Sequence, residues 1–219
     1  LSVAIQHHPS RPELPGRLRK LLKTGMPRPG GSGPLIEVVT DPEPEGERNP
    51  WRTARECWRL TPDGCTHRLV IQDDVIPCRR FLHHASLALA ARPERIVAFY
   101  VGANAVLTYR KILVAAADCS AWVLGDHSSW VPCLALAIPA PLAPSLAGYE
   151  DGSRPVADDD VVGRWLRSEG LPWYATIPSL VDHDDDAPSL MRSDWSGGRR
   201  VAACWVGSTD PGLIDWQKG

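Results

Sequence analysis

Apolar positions in the first half of the chain follow two rhythms in turn. "SVAIQ" (2–6), "LIEVVT" (35–40), "HRLVIQ" (67–72) and "RIVAFYV" (95–101) are short apolar runs that read as strands. Between them the spacing turns helical. "ELPGRLRKLL" (13–22) sets Leu14, Leu18, Leu21 and Leu22 against a basic opposite face. "WRTARECWRL" (51–60) aligns Trp51, Ala54, Arg55 and Trp58, and "CRRFLHHASLALAA" (78–91) reads as a third helix. Loops interrupt at "PRPGGSGP" (27–34) and "DPEPEGERNP" (41–50). Strands alternating with single helices predict an α/β fold with a mainly parallel central sheet flanked by helices.

The second half is less regular. "SAWVLGDHSSWVPCLALAIPAPLAPSLAGYEDG" (120–152) mixes short apolar runs with turns. "DDDVVGRWLRSEG" (158–170) predicts a helix that starts in an acidic turn and stops at Gly170. "LPWYATIPSLVDHDDDAPSL" (171–190) predicts a strand running into a histidine and acid cluster.

In α/β sheets, ligands bind at the carboxyl ends of the strands. Three polar groups fall there: His7, His8 and Arg11 after the first strand, Asp41 after the second, and Asp73 and Asp74 after the third. Adjacent carboxylates repel each other and resist burial. Asp73 and Asp74 therefore form either a solvated, capped turn or a platform for Mg²⁺ or Mn²⁺, which binds through one or two carboxylates plus substrate phosphates. Asp158 to Asp160 offer a second carboxylate set, and His183 a further ligand. Each also has a plainer use as a cap, a helix start or a solvated loop.

Composition narrows the class. At 219 residues, 43% hydrophobic and 23% charged, the chain is globular. The net charge of −2 conceals an asymmetry. Residues 1–35 hold six Lys/Arg against Glu13, and residues 150–186 hold ten Asp/Glu against three Arg. Six cysteines, none in a Cys-x-x-Cys pair, argue against a zinc cluster and for reduced thiols. No apolar stretch approaches the ~20 residues of a membrane span, and no signal peptide is evident, so a cytoplasmic protein without membrane association is expected. The chain begins at Leu1, which suggests that an earlier segment has been trimmed.

The order of these features resembles the small GT-A-type glycosyltransferases, with the flavour of those carried by actinobacterial phages. The likeness rests on "VAIQHHPSR", "VVTDPEP", "WRTARECW", "LVIQDDVIPCRRF", "DDDVVGRWLRSEG" and "IPSLVDHDDDAPSL", and covers most of residues 2–190. It implies one GT-A-like domain over 1–219: a nucleotide-sugar half (1–105), an acceptor half (106–190) and a tail (191–219). It further implies that Asp74, with Asp73, ligates Mn²⁺ or Mg²⁺ on a donor diphosphate, and that His183 completes the metal shell. Gln72 stands where many members carry the first acid of an Asp-x-Asp motif, which usually contacts ribose or sugar. His7, Arg11, Asp41, Arg55, Gln72 and Asp73 would meet the donor nucleotide. Asp159 and Asp160 match the catalytic acid pair, with Asp160 as general base and an inverting outcome. In a phage setting the acceptor would be 5-hydroxymethylpyrimidine in DNA. Basic residues 11–28 would then touch phosphates, and Trp122, Trp130, Trp165 and Trp173 would stack on bases. A saccharide or protein acceptor is the alternative. A nucleotidyltransferase would need a Gly-rich phosphate loop that "QHHPSRPELPG" does not supply. A non-catalytic phage module would have no reason to align acids at strand ends.

Overall fold

A computed structural model describes residues 1–24, 34–103, 106–125, 131–150, 152, 157–188 and 200–219, with backbone only at 106–109. The first half runs β1 (Ser2–His7), α1 (Leu14–Lys23), β2 (Leu35–Thr40), α2 (Pro50–Arg59), β3 (His67–Gln72), β4 (Val75–Pro77), α3 (Phe81–Ala91) and β5 (Ile96–Ala98). The second half adds α4 (Val106–Ala117), β6 (Trp122–Leu124), β7 (Ala135–Pro139), α5 (Ala143–Ala147), α6 (Asp158–Glu169), β8 (Trp173–Thr176) and β9 (Val181–His183).

Seven strands form one sheet in the order β2-β1-β3-β7-β5-β8-β6, and β4 pairs with β9 in a separate ribbon. The α/β class is as expected, and the sheet is mostly parallel in strand direction but mixed, with β7 and β6 reversed. β2, β1 and β3 are parallel, as are β5 and β8, whereas β7 runs antiparallel to both its neighbours and β6 antiparallel to β8. An antiparallel strand needs no helical crossover. The alternation that foretells a parallel sheet therefore carries no signal for β7.

Two apolar layers sandwich the sheet. One holds Trp51, Ala54, Cys57 and Trp58 of α2 with Val161, Val162, Trp165 and Leu166 of α6. The other holds Leu18 and Leu22 of α1, Phe81, Leu82 and Ala85 of α3, and Trp216 near the C-terminus. Of the leucines aligned on α1, Leu21 faces out. On α2 the fourth member of the expected stripe is Cys57, not Arg55, because a charged group leaves the core to the smaller apolar one. α6 ends as expected at Gly170, whose φ of +64° suits a residue without a Cβ. The expected strand over 171–190 is two short strands, β8 and β9, with a turn between them. Among the described residues, no helix is long and apolar enough to cross a membrane.

Candidate functional site

The parallel pairing of β1 with β3 sets Gln6 beside Gln72, so the loops that follow both strands leave the sheet together. They open onto a cavity of about 800 Å³ that α2, α6 and β9 also line. His7, Arg11, Asp41, Gln72, Asp73, Asp74, Asp159 and His183 all border it; Arg55 and Asp160 do not.

Asp73 is a buried hub. Its Oδ2 lies 2.8 Å from His7 Nδ1 and accepts from the His8 N–H at 3.2 Å. Its Oδ1 accepts from Arg11 Nη1 at 2.7 Å. The same Nη1 sits 2.8 Å from Asp74 Oδ2, so one guanidinium nitrogen bridges both carboxylates. Arg11 therefore supplies within the chain the positive charge that two neighbouring aspartates demand. Three contacts fall on its two oxygens, so Asp73 anchors His7 and Arg11, and Oδ1, with one bond, keeps a lone pair for the metal-ligand role expected of it.

Asp74 differs. Its side chain is 4% exposed, yet Oδ1 has no hydrogen-bond partner. β4 begins at the next residue and pairs with β9 in a register that puts Val75 opposite His183. The Asp184 N–H donates to the Asp74 carbonyl at 2.8 Å, which closes the ribbon over the site. His183 Nε2 is thereby brought 3.4 Å from Asp74 Oδ2. Burial pushes the His183 imidazole below its ordinary value despite the pull of Asp74, which favours the neutral ring that a metal requires. Among the described residues, no group of three or more His, Cys, Asp or Glu makes a metal centre by itself. A free carboxylate oxygen beside a neutral imidazole does fit a divalent cation that draws its other ligands from phosphate and water.

α6 brings its own acids to the cavity beside Gln72. Asp158 is buried and accepts from Gln72 Nε2 at 3.0 Å and from the Asp159 N–H at 3.0 Å. Burial raises its carboxyl, and the amide bonds from Gln72 and Gln6 offset only part of that. Asp159 is pushed up to about 7, first by burial and then by the Asp158 charge beside it. Asp160 is turned outward and pairs with Arg164 one helical turn on. Its expected place as base is corrected accordingly: of the two acids assigned to proton transfer, only Asp159 faces the cavity. Helical geometry explains the split. Asp158 shares a stripe with Val161, Val162 and Trp165, while Asp160 shares one with Arg164 and Arg167. Gln72, expected at a sugar or ribose, instead orients Asp158.

The far wall is held by Asp41. Arg52 grips it with two bonds, Nε to Oδ1 at 2.7 Å and Nη2 to Oδ2 at 2.9 Å, and the Glu43 N–H adds a third. Burial alone would raise the Asp41 carboxyl, but these donors hold it below its usual value. Arg52 is the arginine of α2 that reaches the cavity. Arg55, three residues on, points to α5 and bonds the Ala147 carbonyl at 2.8 Å, so its expected nucleotide contact is not formed. The usable signal for Arg52 was its place in the first turn after the Asn49 cap, at the strand-end side of the sheet. Tyr100 and Arg200 also line the cavity, and no motif announced either.

The nucleic-acid expectations divide. Trp122, Trp165 and Trp173 are 5%, 0% and 0% exposed, so they are core residues rather than stacking platforms. Trp130 and Arg28 lie outside the described residues. Arg11 is consumed by the aspartates, and Arg17 pairs with Asp184 at 2.9 Å. Arg19, Lys20 and Lys23 stay exposed on α1. No family model and no curated protein matches the chain.

Proposed function

We propose that the protein transfers a sugar from a nucleotide-diphosphate donor to a hydroxyl acceptor, in a GT-A-like arrangement that uses a divalent cation. One observation carries the reading: a cavity at the ends of β1 and β3 is bordered by Asp74, His183 and an Asp159 whose carboxyl is pushed up to about 7. Asp74 and His183 would hold the cation, which when bound offsets charge on a leaving diphosphate. The cavity border carries four arginines (11, 48, 52 and 200) against six carboxylates (41, 47, 73, 74, 158 and 159). An anionic donor entering this acid excess needs an added positive charge.

The chain's own residues do the rest. Arg200 supplies hydrogen-bond donors toward an anionic ligand, while Arg52, whose N–H groups go to Asp41, Glu43 and Glu47, adds its charge and stiffens the wall. Asp159 takes the proton of the acceptor hydroxyl as that oxygen attacks the anomeric carbon. A base with its value near 7 is half-ionised at neutral pH and still strong enough to pull a proton. Gln72 keeps the Asp158 carboxylate turned beside Asp159. One displacement assisted by one base inverts the anomeric centre.

The test is a thermal unfolding series with Mn²⁺ and either UDP-glucose or GDP-mannose. A donor at about 100 times its dissociation constant adds ~2.7 kcal/mol. A panel of nucleotide sugars is then offered with hydroxymethylated DNA, saccharides and peptides, and products are weighed by mass spectrometry. A hexose or pentose added to the DNA identifies the acceptor as hydroxymethylpyrimidine; one added to a saccharide or peptide assigns it there. Asp74→Ala should abolish transfer with the fold kept. No donor binding and no transfer across the panel would overturn the reading.

A further inference from the structure

Arg11 occupies an unusual place for an arginine. Its side chain is 4% exposed, and the one nitrogen Nη1 serves both Asp73 and Asp74. Its Nε is buried with no hydrogen-bond partner among the described residues. A guanidinium offers five donors in a planar fork and commonly grips a single carboxylate with two of them. Here it is spread across two carboxylates through one atom, which spends its charge and little of its geometry. Asp73 has other support, from His7 Nδ1 at 2.8 Å and the His8 N–H at 3.2 Å. Among the described residues, Asp74 has only Arg11 and the more distant His183 on Oδ2, and nothing on Oδ1.

We propose that Arg11 is a resident counter-cation of the Asp73–Asp74 pair and that, by holding Asp74 Oδ2, it sets how tightly the site takes a divalent cation. The inference rests on the assignment of Asp74 and His183 as the cation's protein ligands. A divalent ion reaching Asp74 meets a guanidinium on the same oxygen, and two positive groups that close repel strongly in a buried setting. Arg11 therefore offsets one of the pair's two negative charges without metal, and weakens binding of a metal offered alone. An anionic ligand that draws the guanidinium toward itself removes that opposition. Cation and anion then bind as a coupled pair, each raising the other's affinity by the same factor.

The experiment titrates Mn²⁺ alone into the full chain and follows free Mn²⁺ by electron paramagnetic resonance. Wild type, Arg11→Gln and Arg11→Lys are compared. Arg11→Gln removes the opposing charge and should bind Mn²⁺ roughly tenfold tighter or more. Arg11→Lys keeps the charge and should stay within about threefold of wild type. Equal or weaker binding by a folded Arg11→Gln overturns the role of Arg11 while leaving the Asp74–His183 assignment in place. No Mn²⁺ binding by any of the three overturns both. A second measurement needs no neutral variant to fold. In ¹⁵N-labelled wild type, the Arg11 Nε–H signal, assigned by its loss in Arg11→Lys, should move as Mg²⁺ saturates the site. A stationary signal at saturation overturns the proposal.

Discussion

Two pairs of adjacent aspartates border one cavity, linked through Gln72, and the fold treats them in opposite ways. Asp73 and Asp74 leave the end of β3 under a bridging arginine, with His7 and a backbone N–H in support. Asp158 and Asp159 start α6, where Asp158 accepts from an amide side chain and a backbone N–H. The first pair meets a full positive charge and is compensated inside the chain. The second meets only dipoles, so burial pushes both its members upward, and the Asp158 charge adds to the push on Asp159, which reaches about 7. Neighbouring carboxylates are thus not one chemical feature. What the third group is, a guanidinium or an amide, decides whether a full charge or only a dipole faces the pair, and with only a dipole burial raises the acids of α6.

The largest effect should come from breaking the second pair. Asp159→Asn should lower transfer by ~10²–10⁴-fold with donor binding kept. Asp160→Asn, two positions from Asp158 and on the solvent side, should leave it within about threefold, as expected of an exposed ion pair. An equal loss in both, measured by steady-state kinetics, would erase the distinction between the acids of α6.

Next comes stability. Asp73→Ala leaves Arg11 buried against a single carboxylate and His7 without its acceptor, and should cost ~3–5 kcal/mol in urea unfolding. Asp158→Asn at pH 8 should cost no more than ~1 kcal/mol, because removing a desolvated carboxylate offsets the loss of one of the two acceptor oxygens that serve Gln72 and the Asp159 N–H. Should the two variants fall by the same amount, the contrast between compensated and uncompensated pairs would fail.

A smaller effect should appear in the pH dependence. The folded-state value of Asp159 is raised above that of the unfolded chain, near 4. Between about pH 4 and 7 the unfolded chain has released this proton and the folded chain still holds it. Stability should therefore decline across that window, by about 2 kcal/mol after allowance for partial exposure, and level off above it. Asp159→Asn should remove that part of the slope; chemical unfolding at a series of pH values reads it. Smallest of all, Gln72→Leu should cost ~1 kcal/mol for the lost hydrogen bond. It should also raise the Asp158 carboxyl further, since the amide is what holds it down.

The order of strands and helices through β5 was legible, apart from the three-residue β4, because short apolar runs and helical spacing alternate visibly. Strand ends were legible for the same reason, and they led to His7, Arg11, Asp41, Asp73 and Asp74. What the sequence could not show were partners distant in the chain. Arg11 meets Asp74 across 63 positions, and Gln72 meets Asp158 across 86. A lone acid pair invites a metal as its missing charge; the arginine that provides one becomes visible only when β1 and β3 lie side by side. Choosing between Asp158, Asp159 and Asp160 was possible in principle. The apolar stripe through Val161, Val162 and Trp165 includes Asp158 and excludes Asp160, which makes the helical phase a better guide than the match to a motif. Arg52 and Arg55 pose the same question of phase on α2.

The most direct measurement is a titration of the aspartate side chains by carboxyl-detected ¹³C NMR between pH 3 and 9, in wild type and in Asp158→Asn. It needs neither donor nor acceptor. The account predicts that the Asp159 resonance titrates near pH 7 in wild type and moves to lower pH when the Asp158 charge is removed. An Asp159 midpoint in the ordinary carboxylate range near 4, unmoved by Asp158→Asn, would contradict it.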